Sequence, residues 1–146
     1  MSRPPPPKLA PPSPIRSRRG GRARETGRAA EIAAALWLML KGWRIVGFRH
    51  RTPQGEIDLL ARRGRVLAVV EVKARATLDE ALAAVRPDQR ARLLRAGQAV
   101  AARRFGPELG VRLDLVALAP GRRPRHVPDA WAGLDAGVDQ ARVFQP

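Results

Sequence analysis

The sequence contains no cysteine and only two histidines, His50 and His126. Without cysteine the chain has no disulfide framework, and it cannot hold zinc or an iron–sulfur cluster through thiolates. The two histidines lie far apart in the sequence, which favours separate solvated or hydrogen-bonded side chains. These absences exclude the disulfide-stapled and cysteine-ligated classes and disfavour a histidine-based metal site.

Aromatic residues are also scarce, with three tryptophans, three phenylalanines and no tyrosine. Proteins that bind single-stranded nucleic acid stack its bases on aromatic side chains, so this mode of recognition has weak support. The apolar run over residues 32–40 is nine residues long, whereas about 20 are needed to cross a bilayer. Residues 1–24 contain no apolar core of a signal peptide. We therefore expect a cytoplasmic protein with no membrane partner.

Acidic residues are few beside the basic ones: 13 Asp and Glu against 28 Lys and Arg, for a net charge of +15. A surface of this sign attracts polyanions, of which nucleic acid is the commonest. Arginine outnumbers lysine 25 to 3, which codon bias would also produce. Residues 1–28 carry +7 of the charge and residues 29–146 the remaining +8. We expect a nucleic-acid partner, recognised by backbone charge and shape.

The length of 146 residues predicts one domain with a single core. Residues 1–21 are rich in proline and arginine and nearly devoid of large apolar side chains, so we expect a disordered N-terminal arm. This arm either strengthens nucleic-acid binding or is an inert extension. The folded domain is expected over residues 22–131, followed by a loose C-terminal tail over residues 132–146.

Hydrophobic patterning predicts an α/β protein with the order helix, three strands, helix, strand. The first helix is expected to run from an N-cap at Thr26 to about Lys41 and to end at Gly42. It is apolar nearly all round, which implies burial against a sheet. The other expected elements are an antiparallel meander of strands over residues 43–48, 56–61 and 66–73, a weak helix over 78–85, a helix over 87–104, a strand over 111–118 and a short edge strand over 125–127.

Charged residues interrupt two predicted strands that should be apolar. Asp58 lies in the second strand, and Glu71 and Lys73 lie in the third. An ionised carboxylate in a buried sheet is costly unless it is paired or binds a metal. Because side chains alternate along a strand, Glu71 and Lys73 point to the same face of the sheet.

The position of Asp58 relative to Glu71 depends on the turn between the two strands. If Arg63 and Gly64 form a two-residue turn, Asp58 faces Val69 and is the diagonal neighbour of Glu71 on one sheet face. A three-residue loop would place the two carboxylates on opposite faces. The proximity of the two carboxylates is therefore conditional on the two-residue turn.

Two neighbouring carboxylates suit Mg²⁺, which is typically held by one or two carboxylates together with waters and substrate phosphate. We expect Asp58 and Glu71 to bind Mg²⁺ or Mn²⁺, with the Val72 carbonyl as an additional ligand. The metal would activate a water and stabilise charge on a phosphodiester. Lys73 would orient or deprotonate that water, or neutralise the transition state.

Other interpretations of these acidic residues remain open. Glu31 either completes the site from the first helix or is an exposed glutamate favoured by the helix dipole. Glu56 shares a face with Asp58 and is either a competing ligand or a solvent-exposed residue at the start of its strand. The whole cluster is alternatively a cross-strand salt bridge of Lys73 with Asp58 or Glu71 that serves no catalytic purpose.

These motifs resemble the PD-(D/E)xK nuclease superfamily and, more narrowly, the small bacterial YraN-like family, which is described as similar to archaeal Holliday-junction resolvases. The resemblance spans roughly residues 22–131. It is carried by Gly27 and Glu31, Gly42-Trp43, the block Gly55-Glu56-Ile57-Asp58-Leu59-Leu60, the block Val70-Glu71-Val72-Lys73-Ala74-Arg75, and Leu113-Asp114-Leu115-Val116.

The resemblance implies a restriction-endonuclease-like αβββαβ core with a central mixed sheet flanked by helices. It implies Asp58 and Glu71 as metal ligands and Lys73 as the catalytic lysine. Glu31 is implied as the auxiliary acid, and Gln89 is implied as a polar residue near the site. The chain has Arg49 where many family members have asparagine, and Asp88 where a lysine is common.

The leading hypothesis is an Mg²⁺-dependent endonuclease that cleaves DNA, including branched DNA, with DNA preferred over RNA. We expect Arg49, Arg51 and Arg75 to contact the nucleic acid. Resolvases act as symmetric dimers, and the apolar first helix with Trp37 would contribute to a homodimer face. The alternative is a catalytically weak or inactive nucleic-acid-binding module of the same fold, associated with DNA or RNA.

Overall fold

The structure, a computed structural model, describes residues 14–134. They form an α/β domain in which helices flank both faces of a five-stranded mixed sheet. The elements are α1 (Pro14–Leu40), β1 (Arg44–Thr52), β2 (Gly55–Arg63), β3 (Val66–Ala74), α2 (Leu78–Ala83), α3 (Pro87–Arg104), β4 (Gly110–Leu118) and β5 (Arg125–Val127). The predicted order of elements is confirmed, and the expected tail beyond residue 134 lies outside the described residues.

Helix α1 begins twelve residues before its predicted N-cap. The helix starts at Pro14, so Thr26 lies in its interior and the predicted start is wrong. Proline is favoured in a first turn, and the arginines and alanines that follow are good helix formers, which offset glycines costing about 1 kcal/mol each. Of the expected N-terminal arm, residues 14–21 are helical and residues 1–13 lie outside the described part.

The C-terminal end of α1 is confirmed at Gly42. This glycine has a φ of +84°, a left-handed conformation that glycine adopts without penalty. The Trp43 N–H donates to the Leu38 carbonyl at 3.0 Å, and the Gly42 N–H donates to the Met39 carbonyl at 3.0 Å. This pair of bonds is a Schellman motif, which ends the helix and turns the chain into β1.

The five strands lie in the order β1-β2-β3-β4-β5. The first three form the predicted antiparallel meander, β4 pairs with β3 in parallel, and β5 pairs with β4 antiparallel. Parallel neighbours cannot be joined by a tight turn. The segment containing α2 and α3 makes the crossover, and it brings the start of α3 back beside the carboxyl end of β3.

The turn between β2 and β3 differs from the prediction. Its two residues are Gly64 and Arg65, so Arg63 pairs with Val66, and the predicted pairing of Asp58 with Val69 is wrong. Gly64 has a φ of +58° and stands first in the turn, as a type II′ hairpin requires. The pairing moves by two positions, which preserves the face of every side chain.

Both faces of the sheet are covered by apolar packing. On one face α3 packs through Leu93, Ala96 and Val100, and on the other α1 packs through Ala34 and Leu38. Gly97 permits α3 to lie close to β3, because a side chain at that position would overlap Val69 of β3. The close approach of α3 to β3 fixes the position of the helix start relative to the strand.

The prediction that α1 is buried against the sheet is confirmed, but only one side of the helix is covered. Its sheet-facing stripe is buried, but Ile32, Leu36, Met39 and Leu40 are 52–83% exposed. A helix packed against a sheet on one side can bury only one stripe of its surface. No helix within residues 14–134 combines the length and the apolar character that a membrane crossing needs.

Candidate active site

Glu71 and Lys73 project from the carboxyl end of β3 on the face covered by α3. The Lys73 Nζ lies 3.0 Å from the Glu71 Oε1, and the two side chains are 21% and 5% exposed. The i, i+2 spacing on a strand brings both groups to one face, as the sequence predicts. The lysine therefore lies beside a nearly buried carboxylate while keeping access to solvent.

Asp58 of β2 lies beside this pair. Its Oδ2 accepts a hydrogen bond from the Val72 N–H at 2.9 Å. The backbone pairing of β2 with β3 ends at Leu59 and Val70, so the Asp58 carboxylate takes the place of a backbone acceptor for Val72. One further step of that ladder sets Asp58 opposite Glu71. The shifted turn thus gives a closer approach than the predicted diagonal one.

The charge balance around Asp58 is unfavourable for an ionised carboxyl. Burial raises the pKa of Asp58 to about 7, and the carboxylates of Glu71 and Glu31 add to the increase. The Val72 N–H and the Lys73 ammonium act in the opposite direction but do not compensate. A carboxyl with this environment favours either a proton or a cation at its free oxygen.

Gln89 reaches the same cluster from the first turn of α3. Its Nε2 donates to the Glu71 Oε1 at 3.2 Å, the oxygen that Lys73 also contacts. Pro87 occupies the first turn of this helix, where its missing N–H is not needed. Gln89 therefore holds one oxygen of Glu71 and leaves the Oε2 without a described hydrogen-bond partner.

Glu31 of α1 faces Arg49 of β1. The Arg49 Nε donates to the Glu31 Oε2 at 2.6 Å and its Nη2 donates to the Oε1 at 3.3 Å. The hydrogen bond to Glu31 raises the pKa of Arg49 further above its ordinary value. Arg49 has a φ of +48°, which is uncommon for arginine and marks local backbone strain. Both oxygens of Glu31 are thus occupied, and Arg49 is paired within the protein.

Two other predicted nucleic-acid contacts, Arg51 and Arg75, form no described hydrogen bond or ion pair with Asp58, Glu71 or Glu31. Arg51 lies 3.7 Å from Glu56, with exposed fractions of 90% and 43%, so Glu56 is a surface residue at the start of β2. Arg75 follows β3, and its Nη1 donates to the carbonyl of Ala74 at 2.8 Å. Arg51 and Arg75 remain at the surface, and Glu56 does not join Asp58.

The acidic cluster of Asp58, Glu71 and Glu31 fits a hydrated divalent cation better than a protein-enclosed one. Within residues 14–134 no group of three or more His, Cys, Asp or Glu side chains converges as a ready-made metal centre. Asp58 Oδ1 and Glu71 Oε2 have no described hydrogen-bond partner. Mg²⁺ commonly binds in this way, through one or two carboxylates with waters and substrate phosphate.

Another buried carboxylate, that of Asp114 in β4, was not among the site residues predicted from the sequence. It is fully buried, and its two oxygens accept hydrogen bonds from Arg112 at 2.7 and 2.9 Å. The Asp129 N–H donates to its Oδ1 at 2.9 Å, and the His126 Nε2 lies 2.7 Å from its Oδ2. Burial alone would raise the pKa of Asp114, but these bonds hold it below its usual value. Asp114 therefore ties β4 to β5 and the segment after it.

A cavity lined largely by apolar residues lies elsewhere in the described part of the chain. Its volume is about 340 Å³, and it lies between α3 and β4 with Trp131 and Leu94 among its lining. The side chains of the acidic cluster do not line it. The acidic cluster and this apolar cavity are thus at separate places.

The sequence is similar to that of one family of bacterial proteins. The sequence model described as "Uncharacterised protein family UPF0102" matches residues 30–118. A UPF0102 protein of Caulobacter vibrioides is 64% identical over 120 residues, covering 82% of this chain and 96% of the relative. One of Paramagnetospirillum magneticum is 52% identical over 116 residues, covering 75% and 88%. The predicted resemblance to the YraN-like family is thereby confirmed, and these relatives' names state no activity.

Proposed function

The chain belongs to the uncharacterised protein family UPF0102, and we propose that it is a cytoplasmic, Mg²⁺- or Mn²⁺-dependent endonuclease that cleaves DNA. The proposal includes a restriction-endonuclease-like core of the PD-(D/E)xK superfamily. The observation that carries it is the convergence of Asp58, Glu71 and Lys73 at the carboxyl end of β3. In a structural ion pair the two opposite charges neutralise each other. Here burial and two neighbouring carboxylates outweigh the charge of Lys73, so the pKa of Asp58 stays raised to about 7.

The proposed mechanism assigns a separate task to each group. The bound metal would supply charge stabilisation at the scissile phosphate and a deprotonated water. Asp58 Oδ1 and Glu71 Oε2 would hold the metal, because their other oxygens bond to the Val72 N–H and to Gln89 and Lys73. Lys73 would orient the attacking water and neutralise charge on the phosphate. Glu31, which Arg49 holds through both oxygens, would be the auxiliary acid of the site, because its charge helps to raise the pKa of Asp58 and so favours a cation there.

Cleavage of labelled DNA tests the proposal directly. Four-way-junction, duplex and single-stranded DNA are incubated with Mg²⁺ or Mn²⁺ and, in parallel, with EDTA. We expect products only with the metal, because the metal would supply charge stabilisation and an activated water at the scissile phosphate. Binding without cleavage of every substrate would instead support the non-catalytic module, and competition by RNA would decide which nucleic acid it holds.

Gln89 gives a second prediction. Gln89→Ala should raise the Mg²⁺ concentration for half-maximal cleavage by about 10- to 100-fold, because side chains that hydrogen-bond to a metal ligand, as Gln89 does to Glu71, orient that ligand. Gln98 is an exposed glutamine of the same helix, so Gln98→Ala is the matched control. Equal Mg²⁺ dependence in the two variants would contradict the role of Gln89 in holding Glu71.

The proposal also includes a homodimer. The exposed stripe of α1 defined by Ile32, Leu36 and Met39 has i, i+4, i+7 spacing, which allows a helix to pack against a second copy of itself. Such an isologous contact would place two sites in a symmetric pair. The solution mass, measured by light scattering over a range of protein concentrations, tests this part of the proposal.

A further inference from the structure

A second cleft opens beside the acidic cluster, at the carboxyl ends of β3 and β4. Its volume is about 320 Å³. Its floor includes Ala117, which pairs with Lys73 in the parallel ladder, so the two backbones are one strand spacing, about 4.8 Å, apart. Three arginines of the segment after β4 line it: Arg122, Arg123 and Arg125. We call it the arginine cleft.

The backbone around the arginine cleft is held by hydrogen bonds. The Arg122 N–H donates to the Ala119 carbonyl at 3.2 Å, and Gly121 has a φ of +67°. Proline and glycine in the two central positions are typical of a type II turn. Arg125 then pairs with Ala117 as the start of β5. The arginines are therefore carried by a defined turn and strand.

The charges of these three arginines are not balanced within the described residues. All three are exposed, and no carboxylate within residues 14–134 forms an ion pair with any of them at 4.0 Å or less. Some other surface arginines have such partners, for example Arg51 with Glu56 and Arg92 with Asp88, and what distinguishes these three is that they line one cleft. Planar guanidinium groups bind phosphate oxygens through paired hydrogen bonds. The arginine cleft therefore has the charge and the donors for a phosphate-bearing ligand.

We propose that the arginine cleft binds the phosphodiester backbone of nucleic acid beside the phosphate that lies at the acidic cluster. This inference rests on the proposed function, since it assigns the cleft to the same substrate. Successive phosphates of one duplex strand advance by about 3.4 Å along the axis. A strand with one phosphate at Lys73 that runs across the sheet towards β4 would therefore bring its next phosphates to the arginine cleft. These three arginines are not among the nucleic-acid contacts predicted from the sequence.

The test compares two triple variants that each lose three positive charges. One is Arg122→Gln, Arg123→Gln, Arg125→Gln. The control is Arg65→Gln, Arg95→Gln, Arg103→Gln, whose residues are exposed, have no ion pair with a described carboxylate and lie outside the cleft. Affinity for fluorescent duplex and four-way-junction DNA is measured by anisotropy in EDTA, which separates binding from cleavage, at several salt concentrations.

Each phosphate contact contributes about 0.9 to the slope of log affinity against log salt concentration. We therefore expect the cleft variant to lose two to three units of slope, about ten-fold or more in affinity at moderate salt, and the control to lose less than one unit. Equal losses in the two variants, or no binding by the unsubstituted protein, would overturn the inference. If the triple cleft variant melts early, Arg122→Gln and Arg123→Gln alone are judged by the same slope.

The outcome is distinguishable from failure of the proposed nuclease. Binding that depends on the arginine cleft, without metal-dependent cleavage, would overturn the nuclease and leave the cleft proposal intact. Cleavage that persists with an unchanged salt slope in the cleft variant would overturn the cleft proposal and leave the nuclease intact.

Discussion

Replacing Lys73 by methionine should lower the rate of metal-dependent DNA cleavage by about 10²–10³-fold, the usual cost of removing one group that stabilises transition-state charge. The substitution keeps the unbranched stem and removes the ammonium, whose Nζ lies 3.0 Å from the Glu71 Oε1. The affinity for DNA in EDTA should change far less, because only one of many basic groups is lost. Single-turnover cleavage and anisotropy measure the two effects separately.

Lys41→Met is the matched control for this substitution. Lys41 is exposed at the end of α1, where its Nζ lies 5.1 Å from the centre of the Trp37 ring. Its loss removes the same charge away from the carboxylates. Equal cleavage by the two variants would contradict the catalytic role of Lys73, and circular dichroism would show whether each variant keeps its fold.

Local patterns were enough to predict much of the fold and of the site. Alternation along β3 put Glu71 and Lys73 on one face, and the glycine at Gly42 marked the end of α1. The predicted turn was misplaced, yet Asp58 still reached Glu71 because a shift of two positions preserves the sheet face. The prediction that Asp58 lies beside Glu71 is therefore confirmed, although the predicted strand register was wrong by two positions.

Long-range contacts could not be predicted in the same way. The pairing of Glu31 with Arg49 depends on how α1 crosses the sheet, and nothing in the sequence indicated it; the predicted contact of Arg49 with nucleic acid stays a prediction. The bonds of Asp114 require β5 and the segment after it to return to β4. Asp114, an acid two positions after Arg112 in an apolar strand, indicated an ion pair with that arginine. The neighbouring sequence did not indicate its other partners, His126 and the Asp129 N–H.

Asp58 leads to the second large prediction, which concerns stability in the absence of metal. Burial raises the pKa of this carboxyl from 3.8 to about 7. The folded protein therefore binds more protons than the unfolded chain between these pH values. Stability from Asp58 is fully present below about pH 4 and is lost as the pH rises through about 7. The lowered pKa of Asp114 acts below this window, because its contribution is lost as the pH falls through a value under 3.8.

Asp58→Asn should therefore raise the free energy of unfolding of the metal-free protein at pH 8 by a few kcal/mol, about 1.4 kcal/mol for each unit of pKa shift that is removed. The asparagine Oδ1 still accepts from the Val72 N–H, and the ionisable group is gone. Near pH 4.5 the advantage over the unsubstituted protein should be much smaller, because this pH lies less than one unit above 3.8, where the loss of stability from Asp58 begins. The difference between the two proteins, measured by urea unfolding in EDTA at both pH values, isolates Asp58 from other titrating groups.

Glu56→Gln is the control, because Glu56 is exposed and its loss should change stability by about 0.5 kcal/mol or less. Mg²⁺ adds a second readout: it should raise the melting temperature of the unsubstituted protein by mass action but have little effect on Asp58→Asn. A variant that is less stable at pH 8, or a stability difference that does not grow with pH, would contradict the raised pKa of Asp58. The expected result would mean that the site is held at a cost to stability, which a bound cation relieves.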